Sequence, residues 1–153
     1  MRQESGRSMI EMIGVLAIMT LITIASIKFF PVLFGGQKRG QVVDEVTTIV
    51  NGVRSLLGEY DDFSNIDNST IFGAIGMSNK NPYGGEYSLA VNPSNPRQFV
   101  VSISGLSKSE CDALKTKAWT DSVGYIESGR KESGATGECT ENKKNTVSII
   151  YGE

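Results

Sequence analysis

An apolar stretch near the N-terminus constrains the fold more than any other part of this sequence. It runs from Gly6 to Ile27, and after Glu11 no charged residue appears before Lys28. Its length matches the roughly 20 residues that a helix needs to cross the hydrocarbon core of a bilayer. Arg2 and Arg7 lie before or at the N-terminal edge of this stretch, so the positive-inside rule predicts a cytoplasmic N-terminus and an exported remainder.

The carboxylate of Glu11 needs its own explanation, because a carboxylate at the centre of a bilayer costs about 2.5–3.5 kcal/mol. One interpretation is an uncleaved signal anchor whose helix begins with a capping box, since Ser8 and Glu11 have S-x-x-E spacing. The other interpretation starts from Gly6, which ends a short polar leader just before the apolar run. The cap geometry is compatible with both.

The combination of that Gly, a Glu five residues later and an unbroken apolar run resembles the N-terminus of the type IV pilin family. In that family a peptidase cuts the leader after its final Gly, and Glu is the fifth residue of the mature chain. The resemblance makes residues 1–6 the prepilin leader, places the cut between Gly6 and Arg7, and makes Glu11 the fifth mature residue. Arg7 departs from the family pattern, in which mature chains usually begin with Phe or Met.

The resemblance also implies a role for the mature N-terminus in assembly. Residues 7–30 would first be a transmembrane helix and then part of the filament core. The new amine of Arg7 on a neighbouring subunit would neutralise Glu11 in the apolar bundle. A subunit in the wrong axial register would leave Glu11 unpaired, so this contact would set the register.

Residues 31–60 are predicted to form the second half of the stem helix. Pro31 removes one helical hydrogen bond, and Gly35 and Gly36 lower helix stability by up to about 1 kcal/mol each. Pilin stems carry a Pro in this region, so the resemblance makes Pro31, Gly35 and Gly36 a candidate joint. Farther along, apolar residues with helical spacing predict a face that covers a sheet: Val42, Val46, Ile49, Val50, Val53, Leu56, Leu57 and Tyr60.

The composition argues against several kinds of chemistry. The chain of 153 residues has no His, which removes Ser-His-Asp and Cys-His catalysis. Its net charge of −2 gives no basic field that would attract nucleic acid. Neither the G-x-x-x-x-G-K-[ST] phosphate-binding motif nor a G-x-G-x-x-G motif after a strand occurs. We therefore expect a non-enzyme with no cofactor, no metal site and no direct contact with nucleic acid.

Residues 61–85 are rich in Asp, Asn, Ser and Gly and are predicted to form a loop. The carboxylates of Asp61, Asp62 and Asp67 lack the alternation of a calcium-binding EF-hand loop, so they are predicted to be solvated. The loop ends in Asn-Pro-Tyr-Gly-Gly at residues 81–85, a predicted turn. This turn resembles an element that precedes the first sheet strand in type IVb and conjugative pilins.

A hairpin and a short helix are predicted next. Residues 86–104 alternate apolar and polar side chains on both sides of a turn-rich link, which predicts two antiparallel strands. Residues 107–118 are predicted to form a helix, because Ser107 and Glu110 have the spacing of a capping box. Trp119 is predicted to be a core residue.

The C-terminal region contains both cysteines of the chain. Cys111 and Cys139 both lie in the exported half, where an even pair of cysteines indicates a disulfide. Residues 127–144 form a charged, Gly-rich excursion that this disulfide would tie to the short helix. Residues 123–126 precede the excursion, and a final strand at 147–151 follows it.

The predicted fold is α+β, with a long N-terminal helix packed on a small antiparallel sheet and a disulfide-bounded C-terminal region; residues 61–153 form the globular head. The resemblance makes this a pilin fold, and the function a pilin that polymerises into a type IV pilus. Related filaments serve in adhesion and conjugation.

The partners implied by the resemblance are further copies of the chain, the prepilin peptidase, the inner-membrane assembly machinery and, before assembly, the lipid bilayer. The subunit would wait in the inner membrane with its head in the periplasm and end in an extracellular filament. Two alternatives remain open, a type II secretion pseudopilin and a monomeric membrane-anchored exported binding module.

Overall fold

The computed structural model describes residues 5–126 and 138–152. The chain divides into two compact units, Met1–Lys38 and Arg39–Glu153, which we call the N-terminal unit and the C-terminal unit. Most of the predicted leader and the part of the predicted excursion at 127–137 lie outside the described residues.

Helix α1 extends over Ser5–Leu57, and its first part forms the described portion of the N-terminal unit. Because this helix begins at Ser5, Ser8 lies inside it and does not act as an N-cap. The capping box proposed for Ser8 and Glu11 is therefore wrong for the full chain.

The sheet of the C-terminal unit has four antiparallel strands in the spatial order β1-β2-β4-β3. The strands are β1 (Tyr87–Asn92), β2 (Asn95–Leu106), β3 (Ser122–Ile126) and β4 (Asn145–Gly152). The last strand in sequence lies in the middle of the sheet and pairs with both β2 and β3. The predicted hairpin and the predicted final strand are confirmed.

Alternation along β2 and β4 builds the core side of the sheet. Phe99 lies opposite Tyr151, and Val101 lies opposite Ile149. All four side chains are buried in one cluster, because residues two apart on a strand face the same side.

Helix α1 contributes one face to the same cluster within the C-terminal unit. The buried helical residues are Val42, Val46, Ile49, Val50 and Val53. The prediction is wrong for the last part of this face, however, since Leu56 is 43% exposed and Tyr60 is 60% exposed. The helix ends at Leu57, and the chain turns at Gly58, whose N–H donates to the Arg54 carbonyl at 2.8 Å.

Helix α2 (Asn68–Ala74) lies in the region predicted as a loop, so that prediction is wrong for these residues. The carboxylate of Asp67 caps the helix by accepting a hydrogen bond from the Thr70 N–H at 2.8 Å. Two residues of the helix, Ile71 and Phe72, are buried.

The side-chain amide of Asn68 covers the outer edge of β1. It accepts a hydrogen bond from the Leu89 N–H at 2.7 Å and donates one to the Leu89 carbonyl at 3.0 Å. Two residues earlier on the strand, the Tyr87 N–H donates to the Asn79 carbonyl at 2.6 Å. An open strand edge is a template for pairing with another chain, and these groups block it.

Helix α3 (Lys108–Lys115) has the predicted capping box between Ser107 and Glu110. Trp119 follows the helix, is 7% exposed, and donates from its indole nitrogen to the Leu114 carbonyl at 3.1 Å. The prediction of a core tryptophan is confirmed.

Candidate functional site

The feature of the N-terminal unit that calls for a function is an exposed apolar surface on helix α1. Every residue of Ser8–Ile27 is exposed, and the large apolar side chains in this range are 52–75% exposed. The range has a mean hydropathy of 2.2, and at 1.5 Å per residue it spans about 30 Å, the thickness of a bilayer core. We call Ser8–Ile27 the apolar segment; its length and composition fit a membrane anchor or a signal sequence.

Glu11 is the charged residue of the apolar segment and lies close to its N-terminal end. Three ion pairs are formed among the side chains that the structure describes, and none of them includes Glu11. Its carboxylate is exposed among apolar side chains.

The predicted cleavage site, the bond between Gly6 and Arg7, lies in the first turn of α1. The first four N–H groups of a helix have no intrahelical partner, so this turn opens at little cost in hydrogen bonds. The side chain of Arg7 lies outside the described side chains, and its pairing with Glu11 stays a prediction.

Three hydroxyl groups in the apolar segment are satisfied by the helix itself. Thr20 donates to the Leu16 carbonyl at 2.7 Å. Thr23 and Ser26 make the equivalent bonds to the carbonyls four residues before them, each at 2.8 Å. These bonds leave no hydroxyl donor of the three in need of another partner.

The backbone of α1 is helical through the predicted joint at Pro31, Gly35 and Gly36. A Cβ atom added at Gly35 or Gly36 would meet no atom within 4 Å. No close packing requires glycine at these positions, so their effect is to lower helix stability. Whether the helix opens there stays a prediction.

Cys111 and Cys139 form the predicted disulfide, which joins α3 to the segment before β4. An ion pair between Lys108 and Glu141 at 2.7 Å connects the same two regions. Asn145 organises the chain between Cys139 and β4, and its side-chain amide donates to the Leu106 carbonyl at 3.0 Å.

The Asn-Pro-Tyr-Gly-Gly turn is organised by the side chain of Asn81. Its oxygen accepts the Tyr83 N–H at 3.0 Å and the Gly85 N–H at 3.1 Å. Its nitrogen donates to the Ser104 carbonyl at 2.8 Å, which joins the turn to β2. Gly85 also lies so close to Gly105 that a Cβ on Gly105 would be 2.7 Å from the Gly85 Cα.

No family model, no curated protein and no solved structure matches this chain. Among the described residues, no group of three or more Cys, Asp or Glu side chains is arranged to hold a metal ion. The features that indicate a function are therefore the apolar segment, Glu11 and the architecture of the C-terminal unit.

Proposed function

We propose that this chain is a pilin-type structural subunit, which loses residues 1–6 and polymerises into a filament whose core is built from copies of the apolar segment. The observation that carries the proposal is a 20-residue exposed apolar helix with one carboxylate near its start, five residues after Gly6. The small C-terminal unit, with its four-stranded sheet and disulfide, is compatible with a pilin fold.

The energetic case begins with the apolar surface. Twelve large apolar side chains between Met9 and Ile27 are more than half exposed. At about 1.5–3 kcal/mol for burying each such side chain, their exposure to water costs on the order of 20 kcal/mol. That exceeds the 5–15 kcal/mol by which whole domains are usually stable, so the segment needs lipid or other protein around it.

The position of Glu11 favours a protein bundle as the final environment. An anchor that only has to stay in lipid gains nothing from a carboxylate inside its apolar run. In a bundle of helices, the same carboxylate contributes specificity, because only one axial offset brings a cation from a neighbouring copy next to it. The free amine that cleavage would create at Arg7 is such a cation.

Cleavage is tested with Gly6→Leu in cells that express the full chain. We expect this variant to keep the mass of the unprocessed chain, whereas the wild-type protein loses the mass of residues 1–6. Gly14→Leu is the matched control, because a Cβ added at Gly14 would meet no atom within 4 Å, and it should be processed normally. Wild-type protein that retains Met1 would refute the proposed cleavage.

Assembly is tested with Glu11→Ala and Glu11→Asp, examined by electron microscopy of material sheared from the cell surface. We expect both variants to be inserted and processed, and Glu11→Ala to form few or no filaments. Glu11→Asp keeps the charge and should retain more assembly. Normal filaments from Glu11→Ala would exclude the proposed pairing.

The same material separates the alternatives. Processed protein that is confined to the periplasm in short assemblies would favour the pseudopilin. An unprocessed monomer would favour the membrane-anchored binding module.

A further inference from the structure

A short part of helix α1 lies between the apolar segment and the core of the C-terminal unit. Residues 34–41 are exposed, and Val42 is the first fully buried residue among those side chains of the helix that the structure describes. Three glycines fall in this part, at 35, 36 and 40, and none has an atom within 4 Å of an added Cβ. Because exposed glycine lowers helix stability, unwinding that starts here would advance easily toward Val42.

One side chain in this part reaches a distant element of the C-terminal unit. The Nη2 of Arg39 donates a hydrogen bond to the Ala113 carbonyl at 2.9 Å. Arg39 is also the first residue of the C-terminal unit. The contact therefore lies at the boundary where helix α1 joins the rest of that unit.

The acceptor is a carbonyl that helix α3 leaves open at its C-terminal end. The Lys117 N–H, which would reach Ala113 in a longer α-helix, donates instead to the Leu114 carbonyl at 3.3 Å. The Thr116 hydroxyl reaches the Ala113 carbonyl only at 3.4 Å and lies closer to the Asp112 carbonyl, at 2.9 Å. A guanidinium at this end of a helix is also favoured by the helix dipole.

Helix α3 is itself held firmly, which makes it a good anchor. Cys111 is fully buried and forms the disulfide with Cys139, and Leu114 is fully buried. The capping box fixes the start of the helix at Ser107. Ala113 lies two residues after Cys111, so its carbonyl is positioned by the disulfide-linked turn.

We propose that Arg39 is a latch that stops unwinding of helix α1, so that residues 31–38 can lose helical structure while the helix from Arg39 onward stays intact. The disulfide holds the acceptor of the latch, the Ala113 carbonyl, in place. Reduction of the disulfide would therefore let unwinding advance past Gly40. The next contact along the helix limits how far it would advance. There Glu45 accepts hydrogen bonds from Gln41 at 2.9 Å and from the Tyr87 hydroxyl at 2.6 Å.

The test is amide hydrogen exchange on the full chain in detergent micelles, read by mass spectrometry for wild type and Arg39→Ala. Alanine has the higher helix propensity, so propensity alone would slow exchange in the variant. We expect exchange at residues 39–43 to become about fivefold faster, which corresponds to about 1 kcal/mol for the lost hydrogen bond. Exchange at residues 49–53 should not change.

Arg54→Ala is the matched control, since Arg54 is another exposed arginine of α1 and pairs with Asp121 at 3.4 Å. It should leave exchange at residues 39–43 unchanged. A double variant with serine at positions 111 and 139 should accelerate the same amides, and adding Arg39→Ala to it should have little further effect. Unchanged exchange in Arg39→Ala would overturn the latch, as would equal acceleration along the whole helix. If Arg39→Ala accelerated exchange as much in the double serine variant as in wild type, the link between the latch and the disulfide would be refuted.

Discussion

Removal of the disulfide should lower the stability of the C-terminal unit by an amount that the structure allows us to estimate. Cys111 and Cys139 are separated by 28 positions in the sequence. The chain-entropy relation for a loop of that length gives about −12 cal/mol/K, or about 3.6 kcal/mol at 25 °C. This is a large fraction of the 5–15 kcal/mol typical of a domain, so the unit should fold without the disulfide but only marginally.

The assay is urea unfolding of the full chain in micelles, followed by tryptophan fluorescence. Trp119 is the single tryptophan of the chain, is buried, and bonds to helix α3, so its emission reports on this region. With a urea dependence of about 1.5 kcal/mol/M, serine at both positions should lower the midpoint by about 2.4 M. Wild-type protein in reducing agent should show the same shift. A midpoint that moves by less than about 0.5 M in both experiments would refute the estimate.

Three further predictions concern single residues of the C-terminal unit. Asp67 accepts hydrogen bonds from the Ser69 hydroxyl and from the hydroxyl and N–H of Thr70, and these bonds lower its pKa from 3.8 to about 2. The ionised carboxylate therefore stabilises the fold above pH 4. Its contribution to the free energy of unfolding, measured by urea titration, should be lost as the pH falls to 2. Gly105→Ala should lower the free energy of unfolding by about 1–3 kcal/mol, since Gly105 has a φ of 75° and leaves no room for a Cβ. Asn68→Ala should increase aggregation, measured by light scattering, because it uncovers the edge of β1.

Each of these predictions has its own control and contrary outcome. Asp67→Asn keeps a capping side chain without the charge, and its stability should vary less between pH 4 and pH 2 than that of wild type; equal slopes would contradict the role of the carboxylate. Gly14→Ala has open space and should not destabilise the chain, so an equal loss in both glycine variants would exclude the steric argument. Asn65 is an exposed residue of the same region, and Asn65→Ala should scatter no more light than wild type.

The regular parts of this fold could be predicted because their signals are local and repeat. Alternation along β2 and β4 identified the strands, and the spacing of the valines in α1 identified the face that enters the core. The capping box at Ser107 marked the start of α3 because both of its residues lie within one turn. The pairing of Cys111 with Cys139 could be predicted because the chain contains two cysteines, both of them after the apolar segment.

The irregular parts could not be predicted, because tertiary contacts decide them. Helix α2 is too short to show a period, and its capping residue Asp67 resembles any other acidic loop residue. The bonds from Asn68 to β1 join residues far apart in the sequence, as does the bond from Arg39 to α3. Tyr60 continues the apolar spacing of α1, but the helix ends before it, and nothing in the spacing indicates that end.

The hydroxyl groups of Thr20, Thr23 and Ser26 have a consequence for transfer of the apolar segment between environments. Since each donates to a carbonyl of its own helix, moving the helix from lipid into a protein bundle breaks and makes no hydrogen bonds at these positions. At these positions the free energy of the move would then depend on van der Waals packing and lipid entropy, which act in small increments along the helix. Apart from Glu11, such a segment would meet no large barrier at any single residue when it is withdrawn and reinserted.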